Sequence, residues 1–500
     1  MEYAWPLDAR EEDRIVESAF REVLNAYAKS NHRRKVEMVE RAFRFAKRAH
    51  EGARRHSGEP YILHPIAVAR IAICELGLGS TSICAALLHD VVKNTEYTIE
   101  DIEKAFGGKI ARIVEGITKI SGGIFNAQSS LQAENFRKLL LSMSTDVRVV
   151  IIKMADRLHN MRTFEFVSPE KKGRVIGETL YVYAPLAHRL GLNKIKTELQ
   201  NIAFRYEKPE IYEEILNRIN ESEEERLKMV EEFTAPIRKK LDDAGFKYEI
   251  LTRVKTPYSI WHKMETKHIG FDEVFDLYAI RIIFENEDDS MEKLRCLQIY
   301  SYITDDHMLH PERTRDWVSV PKSNGYRALH ITAMGPRGKW VEVQIRSRKM
   351  DDLAELGLAA HWKYKEGVSG ADTELDKWMK TIKDILAHPD PDSLDYLDTI
   401  NLNLFSSEIF VFTPKGDLRK LPKGSTVLDF AFDIHSQLGT HCIAGKVNHK
   451  LVTMDHKLES GDQVEIITTG NQHPEKDWLN YAITANARTK ISKYLRKNGK

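Results

Sequence analysis

The 500-residue chain contains no apolar run near the ~18–20 residues that a membrane-crossing helix requires. Its opening, MEYAWPLDAREEDRIVESAF, is charged early and lacks an apolar signal core, so a cytoplasmic protein is expected. Net charge is nearly absent: 75 Lys and Arg against 74 Asp and Glu leave +1. No global field draws in nucleic acid, and any anion binding has to come from local clusters. Cysteine is scarce. Cys74, Cys84, Cys296 and Cys442 are far apart and form no Cys-x-x-Cys pair. That argues against disulfides and structural zinc and for free thiols in a reducing compartment. Internal repeats and long low-complexity tracts are also missing.

What is present is an ordinary globular balance, 42% apolar and 30% charged. At roughly 150 residues per domain the length allows about three domains. Residues 8–235 read almost wholly helical, with apolar positions at three and four spacing as in VEMVERAFRFAKRAH. From about 245 the segments YEILTRV, LYAIRIIF, HITAMG and KWVEVQIRS are rich in β-branched and aromatic residues, with helical stretches between them. This predicts a mixed α/β domain reaching to about 368. KEGVSGADTELDKW marks its edge, followed by a charged helical stretch and the Pro/Asp-rich break AHPDPDSLD. Residues 405–470 form a small β-rich unit with a helix at TVLDFAFDIHSQLG. The basic helical end, NARTKISKYLRKNGK, has no obvious cap and reads as a chain that continues in a longer parent.

In the helical part, His89 and Asp90 stand adjacent at the end of the apolar stretch SICAALLHD. RRHSGEPYILHP supplies Arg55 and His64, and IIKMADRLHNMRT supplies Asp156 and Asn160 on one helix face. Imidazole nitrogen with carboxylate oxygen suits Mn, Fe or Zn. For any one of these residues a buried histidine or a capping aspartate is the commoner explanation. Lys93 and Asn94 follow one turn after His89, where a metal hydrolase would want carboxylates. An ammonium has no lone pair to accept a proton, and an amide is not a useful base at neutral pH.

In the α/β part, TRVKTPYSIWHKM places Arg253, Lys255, Ser259 and Lys263 within eleven residues. Such a run is usually a solvated basic face, but DWVSVPKSNGYRALH adds Lys322, Tyr326 and His330. Its Asn-Gly step permits a tight turn, and the tyrosine after it could stack on a base. KWVEVQIRS alternates, with Val341, Val343 and Ile345 toward the core and Glu342, Gln344 and Arg346 the other way. A carboxylate on such a face serves equally as a Mg²⁺ ligand, a general base or plain surface.

SGEPYILHP, LLHDVV and KMADRLHNMRT, in this order, resemble the HD hydrolase domain of long RelA/SpoT homologues, which make and degrade (p)ppGpp. TPYSIWHKM, FDLYAIRI, PKSNGYRALH, EVQIRS and AELGLAAHWKYKEG resemble the synthetase domain of the same family. VFTPKGDLRKLPKGSTVLDFAFDIHSQLG and GDQVEIITT resemble a TGS domain, a ubiquitin-like β-grasp module. The resemblance covers residues 30–500. It implies one Mn²⁺ held by His64, His89, Asp90 and Asp156, with Arg55 and Asn160 near the nucleotide. Active hydrolases of the family carry Glu-Asp where this chain has Lys93 and Asn94.

For the synthetase domain, the resemblance implies transfer of pyrophosphate from ATP to the 3′-hydroxyl of GDP or GTP. Asp276 and Glu342 would hold Mg²⁺, with Glu342 also placed to take the hydroxyl proton. Tyr326 would stack on guanine, and Arg253 and Arg281 would enclose adenine. Lys255, Ser259 and Lys263 would follow the ATP phosphates, while Lys322, His330, Gln344, Arg313 and Arg315 would line the acceptor side. Two departures stand out: HIGFDEV lacks the strongly basic loop of many bifunctional members, and Asp351 stands where a histidine is common. Asp276 and Arg281 have opposite parity on a regular strand, so Asp276 belongs to an irregular strand start. The β-grasp resemblance implies an approach to uncharged tRNA on the ribosome, with His435 facing it.

The expected organisation is therefore a helical HD-type domain over 1–195 and a synthetase domain with a helical lead-in over 196–375. A linker over 376–404, a TGS domain over 405–470 and a further helical start over 471–500 complete it. The expected activity is (p)ppGpp synthesis with an inactive hydrolase domain. Two alternatives stay open: a bifunctional enzyme with residual Mn²⁺-dependent hydrolysis, and a ribosome- or tRNA-binding regulator with secondary catalysis.

Overall fold

The computed structural model describes residues 5–30, 35–119, 146–221, 223–274, 279–322, 325–357, 408–415, 418–459 and 461–497. It divides into two compact units, and the described residues up to 357, the HD-type bundle and the sheet domain together, lie in the first. Among the described residues no helix is long and apolar enough to cross a membrane. The charged helix and Pro/Asp-rich break expected before residue 405 lie outside the described residues.

Helix Ser80–Leu88 is the centre of the helical part, and every residue from Ser82 to Leu88 is buried. A helix that is apolar all round can only be an interior one. It stops where polar chemistry begins. His89 and Asp90 form a joint, and a single turn, Val91–Asn94, follows. The apolar helix expected to end with SICAALLHD ends there, and Lys93 follows on a separate turn. Helix Val147–Arg162 starts at Asp146, whose side chain accepts from the Arg148 backbone N–H. It buries the whole run from Val149 to Asp156, which carries Lys153 and Asp156 inward with their apolar neighbours. The helical pattern runs slightly past the expected limit, ending with helix Glu223–Asp243.

The α/β part is built on five strands: β1 Tyr248–Arg253, β2 Ala279–Phe284, β3 Arg315–Asp316, β4 Leu329–Met334 and β5 Trp340–Ser347. Their order is β1-β2-β5-β4-β3, with β2 and β5 parallel and the other pairs antiparallel. Ile280, Ile282, Ile331, Val341, Val343 and Ile345 pack one face against helices Glu223–Asp243 and Glu292–Thr304, meeting Phe233, Ile237, Ile299 and Ile303. The apolar half of the alternation in KWVEVQIRS lies in this core as expected. The polar half is less open than a bare alternation implies, since Gln344 and Arg346 are also buried.

The second unit has the hairpin β6 Glu408–Phe412 with β7 Leu418–Pro422, and a sheet of β8 Cys442–Val447, β9 Lys450–Val452 and β10 Val464–Thr468. Helix Val427–Ile434 packs inside it, capped by the reciprocal bonds of Thr426 and Asp429. The single helix expected through TVLDFAFDIHSQLG breaks at His435, whose backbone is extended and whose ring starts a second short helix. Helix Ala485–Lys497 shares the same core, through Ala487, Ile491 and Leu495.

Candidate active sites

The joint after Leu88 aims His89 and Asp90 at His64, from helix Leu63–Arg70, and at Asp156. One ligand atom each of His64, His89 and Asp90 lies within 4.8 Å of the others. Asp156 Oδ1 is 3.3 Å from His64 Nε2 and 4.0 Å from His89 Nε2. Asp90 Oδ2 is 3.7 Å from the first of these nitrogens and 3.3 Å from the second. All four residues are buried.

Proton placement follows from the surrounding bonds. The nitrogen of His89 that faces the Ala86 carbonyl, Nδ1, is 2.7 Å from it and must donate. His159 Nδ1 faces Arg55 Nη1 at 3.3 Å, and a guanidinium can only donate, so His159 Nδ1 accepts. His64 Nδ1, 2.8 Å from that same nitrogen, must then be its second donor. Burial pushes His159 down to about 2, with the charges of His64 and Arg55 adding to it, so it stays neutral. In the neutral form both ligand histidines turn bare Nε2 atoms toward carboxylate oxygens; burial works against a charge on His89, but Asp90 and Asp156 outweigh it and raise its pKa. Lone pairs and carboxylates facing one another repel unless a cation stands between them. His89 Nε2 is moreover a buried atom without a hydrogen-bond partner among the described residues. The residues fit a divalent ion with nitrogen and oxygen ligands.

The carboxylates are held from behind. Lys153 Nζ donates to Asp156 Oδ2 at 2.7 Å, and Asn160 Nδ2 donates to Oδ1 at 2.7 Å. Burial raises the Asp156 carboxyl, but Lys153 and the histidines outweigh it and hold it well below the usual range. Arg55 Nη2 donates to Asn160 Oδ1 at 3.0 Å, so these two expected nucleotide neighbours are indeed together. Asn160 is also the residue that orients Asp156. Tyr61 donates to Asp90 Oδ2 at 2.6 Å, and Asn94 Nδ2 donates to the Tyr61 hydroxyl at 2.9 Å. Asn94 is thus tied to the ligand set through Tyr61. Lys93 is exposed and lines the same cleft of about 540 Å³, with Arg54, Arg55, Lys153, Arg157 and Lys171. These cations against Asp90 and Asp156 suit a polyphosphate.

His50 lies behind Tyr61, with ring centroids 4.7 Å apart, and only 4% of it is exposed. Burial pushes its pKa down to about 4, with Asp90 opposing and His89 and His64 adding to the fall. An unfolded histidine titrates near ~6.5. Between these values the unfolded chain binds a proton that the folded chain refuses. Stability is therefore complete above ~6.5 and falls as pH drops toward 4, by up to about 3 kcal/mol. Urea unfolding at neutral and mildly acid pH checks this, because the loss on acidification should be smaller in His50→Leu.

The second site lies on the polar face of the five-stranded sheet, and strand register assembles it. Arg253 of β1 pairs with Ala279 of β2, which pairs with Glu342 of β5. Arg281 pairs with Gln344, Gln344 with His330 of β4, and His330 with Arg315 of β3. Paired residues point to the same side of a sheet, so these residues share one face. Ser259 and Lys263 lie four apart on helix Pro257–Lys267, and Ser259 Oγ is 3.0 Å from Thr256 Oγ1. Arg313 stands in the short turn before β3. Lys322 and Tyr326 close a tight loop by a 3.1 Å backbone bond, around Gly325 at φ 78°. Asp276 lies outside the described residues, just ahead of β2.

A relay crosses this face. Arg346 Nη2 donates to the Tyr326 hydroxyl, which donates to His330 Nε2 at 2.6 Å. His330 Nδ1 then carries the proton and faces Glu342 Oε1 at 3.5 Å. Gln344 Nε2 donates to the same oxygen at 2.8 Å. Burial raises Glu342, but His330, the nearby charge of Lys255 and Gln344 hold it well below the usual carboxylate range. The Tyr326 ring has Arg346 Cζ 4.8 Å and Lys322 Nζ 5.0 Å from its centroid.

A family model described as HD domain matches residues 42–193, one described as a region found in RelA/SpoT proteins matches 252–369, and one described as TGS domain matches 409–468. The chain belongs to the RelA/SpoT family. It is 41% identical over 469 residues to a GTP pyrophosphokinase of Myxococcus xanthus, covering 92% of this chain and 60% of that protein. It is 40% identical over 455 residues to a guanosine-3′,5′-bis(diphosphate) 3′-pyrophosphohydrolase of Haemophilus influenzae, covering 90% and 66%. A bifunctional (p)ppGpp synthase/hydrolase SpoT of Escherichia coli is 39% identical over 464 residues, covering 92% and 65%. The chain thus spans just under two thirds of the length of these RelA/SpoT relatives.

Several residues at the two RelA/SpoT sites escaped the sequence reading. His159 and Lys153 flank Asp156 in KMADRLHN, at three-residue spacing that puts them beside it on the helix. Tyr61 stands three residues before His64, and its tie to Asn94 has no sequence signal. Lys196, on helix Asn193–Glu207, is depressed by burial and by the positive charges of Arg253 and Lys322. It belongs to neither matched segment. Arg346 was seen as one of a polar trio, but not as the anchor of Tyr326.

Proposed function

We propose that the chain transfers pyrophosphate from ATP to the 3′-hydroxyl of GDP or GTP, at the polar face of its sheet, and that its helical cleft no longer hydrolyses (p)ppGpp. The observation that carries the first part is the register. It gathers Arg253, Arg281, His330, Glu342 and Gln344 from four strands onto one face. In the step, the 3′-oxygen bonds to the β-phosphorus of ATP and its proton passes to Glu342 or to water, while the bond from that phosphorus to the α,β-bridging oxygen breaks and AMP leaves with the electron pair. Such transfer is mainly positioning and charge neutralisation, which arginines and lysines supply. A Mg²⁺ ion would neutralise charge on the phosphates, and the ionised Glu342 is a fitting residue to hold it, with Asp276 the second expected one. Arg253, Lys255, Ser259 and Lys263 take the donor side in this reading, with Arg281. Tyr326, Lys322, His330 and Gln344 take the acceptor side, with Arg313 and Arg315 at the sheet edge. A carboxylate held so far below the usual range accepts protons weakly. Its ionised state supports cation binding more than proton removal.

The second part rests on Lys93 and Asn94. The ligands His64, His89, Asp90 and Asp156 fit Mn²⁺, which would polarise a bound water. Neither the ammonium of Lys93 nor the amide of Asn94 can take its proton at neutral pH. Residual Mn²⁺-dependent hydrolysis is the second reading, because the ligand set and the cationic cleft are both intact. Incubation with ATP plus GDP, and separately with ppGpp, followed by chromatography, tests both parts. No product from ATP and GDP would overturn the first, and rapid loss of ppGpp would overturn the second.

A third part concerns the β-grasp unit and uncharged tRNA. His435 is exposed, and its Nδ1 accepts from the Gln437 backbone at 3.2 Å, so a capping role alone accounts for it. The tRNA reading rests on the TGS resemblance. Deleting residues 400–500 should abolish any stimulation of synthesis by ribosomes carrying uncharged tRNA and leave basal synthesis intact. Stimulation that survives the deletion would exclude the unit as the sensor.

A further inference from the structure

Helix Arg348–Leu356 follows β5 directly, and two of its three carboxylates, Asp351 and Glu355, lie one turn apart on the same face. It is fixed at both ends. Ser347 caps its start, accepting from the Met350 N–H at 3.1 Å, and the buried Glu292 holds the Ser347 hydroxyl. At the other end Asn193 Nδ2 donates to the Ala354 carbonyl at 2.8 Å. Gly357 then follows at φ 51°, where a Cβ would stand 2.2 Å from the Leu190 carbonyl oxygen. Only glycine fits there.

The two carboxylates face two guanidiniums. Asp351 Oδ1 is 3.0 Å from Arg281 Nη1 and 3.1 Å from Arg346 Nη1. Glu355 Oε1 is 2.8 Å from Arg281 Nη2 and 3.7 Å from Arg346 Nη1. Arg281 is 9% exposed and Arg346 only 1%. Like charges placed side by side away from water repel strongly. A shared carboxylate lets both stay charged and sets where each one points. From Arg346 the contacts run on in two directions. One passes through Gln344, at 2.8 Å, to Glu342, and the other through Tyr326 to His330.

We propose that Asp351 is a positioning residue for pyrophosphate transfer, holding Arg281 on the donor side and Arg346 on the acceptor side as one unit. The inference rests on the transfer reading of this sheet face. It makes the two nucleotide subsites mechanically linked chiefly through Asp351, which is close to both guanidiniums, while Glu355 is close to Arg281 and farther from Arg346. Loss of that charge should therefore be felt by both nucleotides, whereas loss of a group serving one subsite is felt by one.

The test is steady-state kinetics, with calorimetric titration of a non-hydrolysable ATP analogue and of GDP, on the unmodified chain, Asp351→Asn, Asp351→Glu and Tyr326→Ala. Asp351→Asn keeps the size of the side chain and removes its charge. KM for ATP and for GDP should rise together by about tenfold each, the scale of one charge-assisted hydrogen bond, with kcat changed less. Asp351→Glu should recover most of both. Tyr326→Ala should weaken GDP alone. An active parent whose Asp351→Asn variant holds both constants within twofold, or shifts only one, overturns the inference and leaves the transfer reading standing. A parent that binds neither nucleotide and makes no product overturns the transfer reading and the inference with it. Circular dichroism melting identifies a misfolded Asp351→Asn, and Asp351→Glu then decides. A parallel shift in both constants supports the linkage, and a one-sided shift or none overturns it.

Discussion

Glu342→Gln should lower the rate of pyrophosphate transfer by roughly 10²–10³-fold, the scale of losing one preorganised electrostatic contact at the reacting groups. Glu342 is half-buried between two neighbours that remain compatible with an amide. His330 Nδ1–H can still approach an amide oxygen, and Gln344 can still donate to it. The sheet should therefore fold unchanged, and what disappears is the negative charge. Lys255 then loses one negative charge from its surroundings, and a cation at the phosphates loses a ligand. The measurement is the initial rate with ATP and GDP at saturating Mg²⁺, beside a thermal melt. A variant that melts normally and turns over at near-normal rate would remove Glu342 from the chemistry.

Hydrolysis of (p)ppGpp by the unmodified chain should be undetectable, or at least ~10²-fold slower than in Lys93→Glu combined with Asn94→Asp. The double change should restore Mn²⁺-dependent release of pyrophosphate. The two positions differ in how they are wired. Lys93 is exposed in the cleft, so exchanging it alters charge near the metal ligands with little repacking. Asn94 is a donor to the Tyr61 hydroxyl, which spends its own proton on Asp90. An aspartate there reverses the first bond. Tyr61 has one proton, and two carboxylates would compete for it. Asn94→Asp therefore loosens Asp90 as well as adding a base, and Lys93→Glu alone should not suffice. Timed assays of pyrophosphate release from ppGpp, with and without Mn²⁺, decide the matter. Vigorous hydrolysis by the unmodified chain refutes the reading. A double variant that stays silent places the defect elsewhere in the cleft.

The order of the domains and the polar face of β5 were legible because each depends on local pattern. Alternation in WVEVQIRS is a property of eight consecutive residues, and the structure keeps its apolar half in the core. What joins the face together was not legible. The pairing of Arg281 with Gln344 and of Gln344 with His330 depends on which strands lie side by side, and no periodicity encodes that. The end of the apolar helix at His89 and Asp90 was legible, but not the separate turn Val91–Asn94 that carries Lys93. The apolar run predicts a helix, and the need to turn two ligands toward one point separates it from that turn. His159 illustrates a third limit. Its neighbourhood to Asp156 is helical arithmetic, but its contact with His64 spans 95 residues. Asp351 was visible only as a departure from a family pattern. Its meaning depends on two arginines from different strands arriving beside it.

The small second unit carries a lesson about where such proteins can be cut. The TGS match ends at residue 468, yet Trp478, Ala482, Ile491 and Leu495 belong to the same apolar core as Val427, Phe430 and Val464. Asp429, buried inside the capping turn, also accepts from the Ile483 N–H at 3.0 Å and from the Thr484 N–H at 2.8 Å. A fragment trimmed to the matched segment would keep every β-strand of the module. It would also lay open an oily groove and leave a carboxylate facing into it without those donors. Residues beyond the recognisable module are its missing wall, and a fragment that stops at the recognisable edge should stick to itself where the intact unit does not.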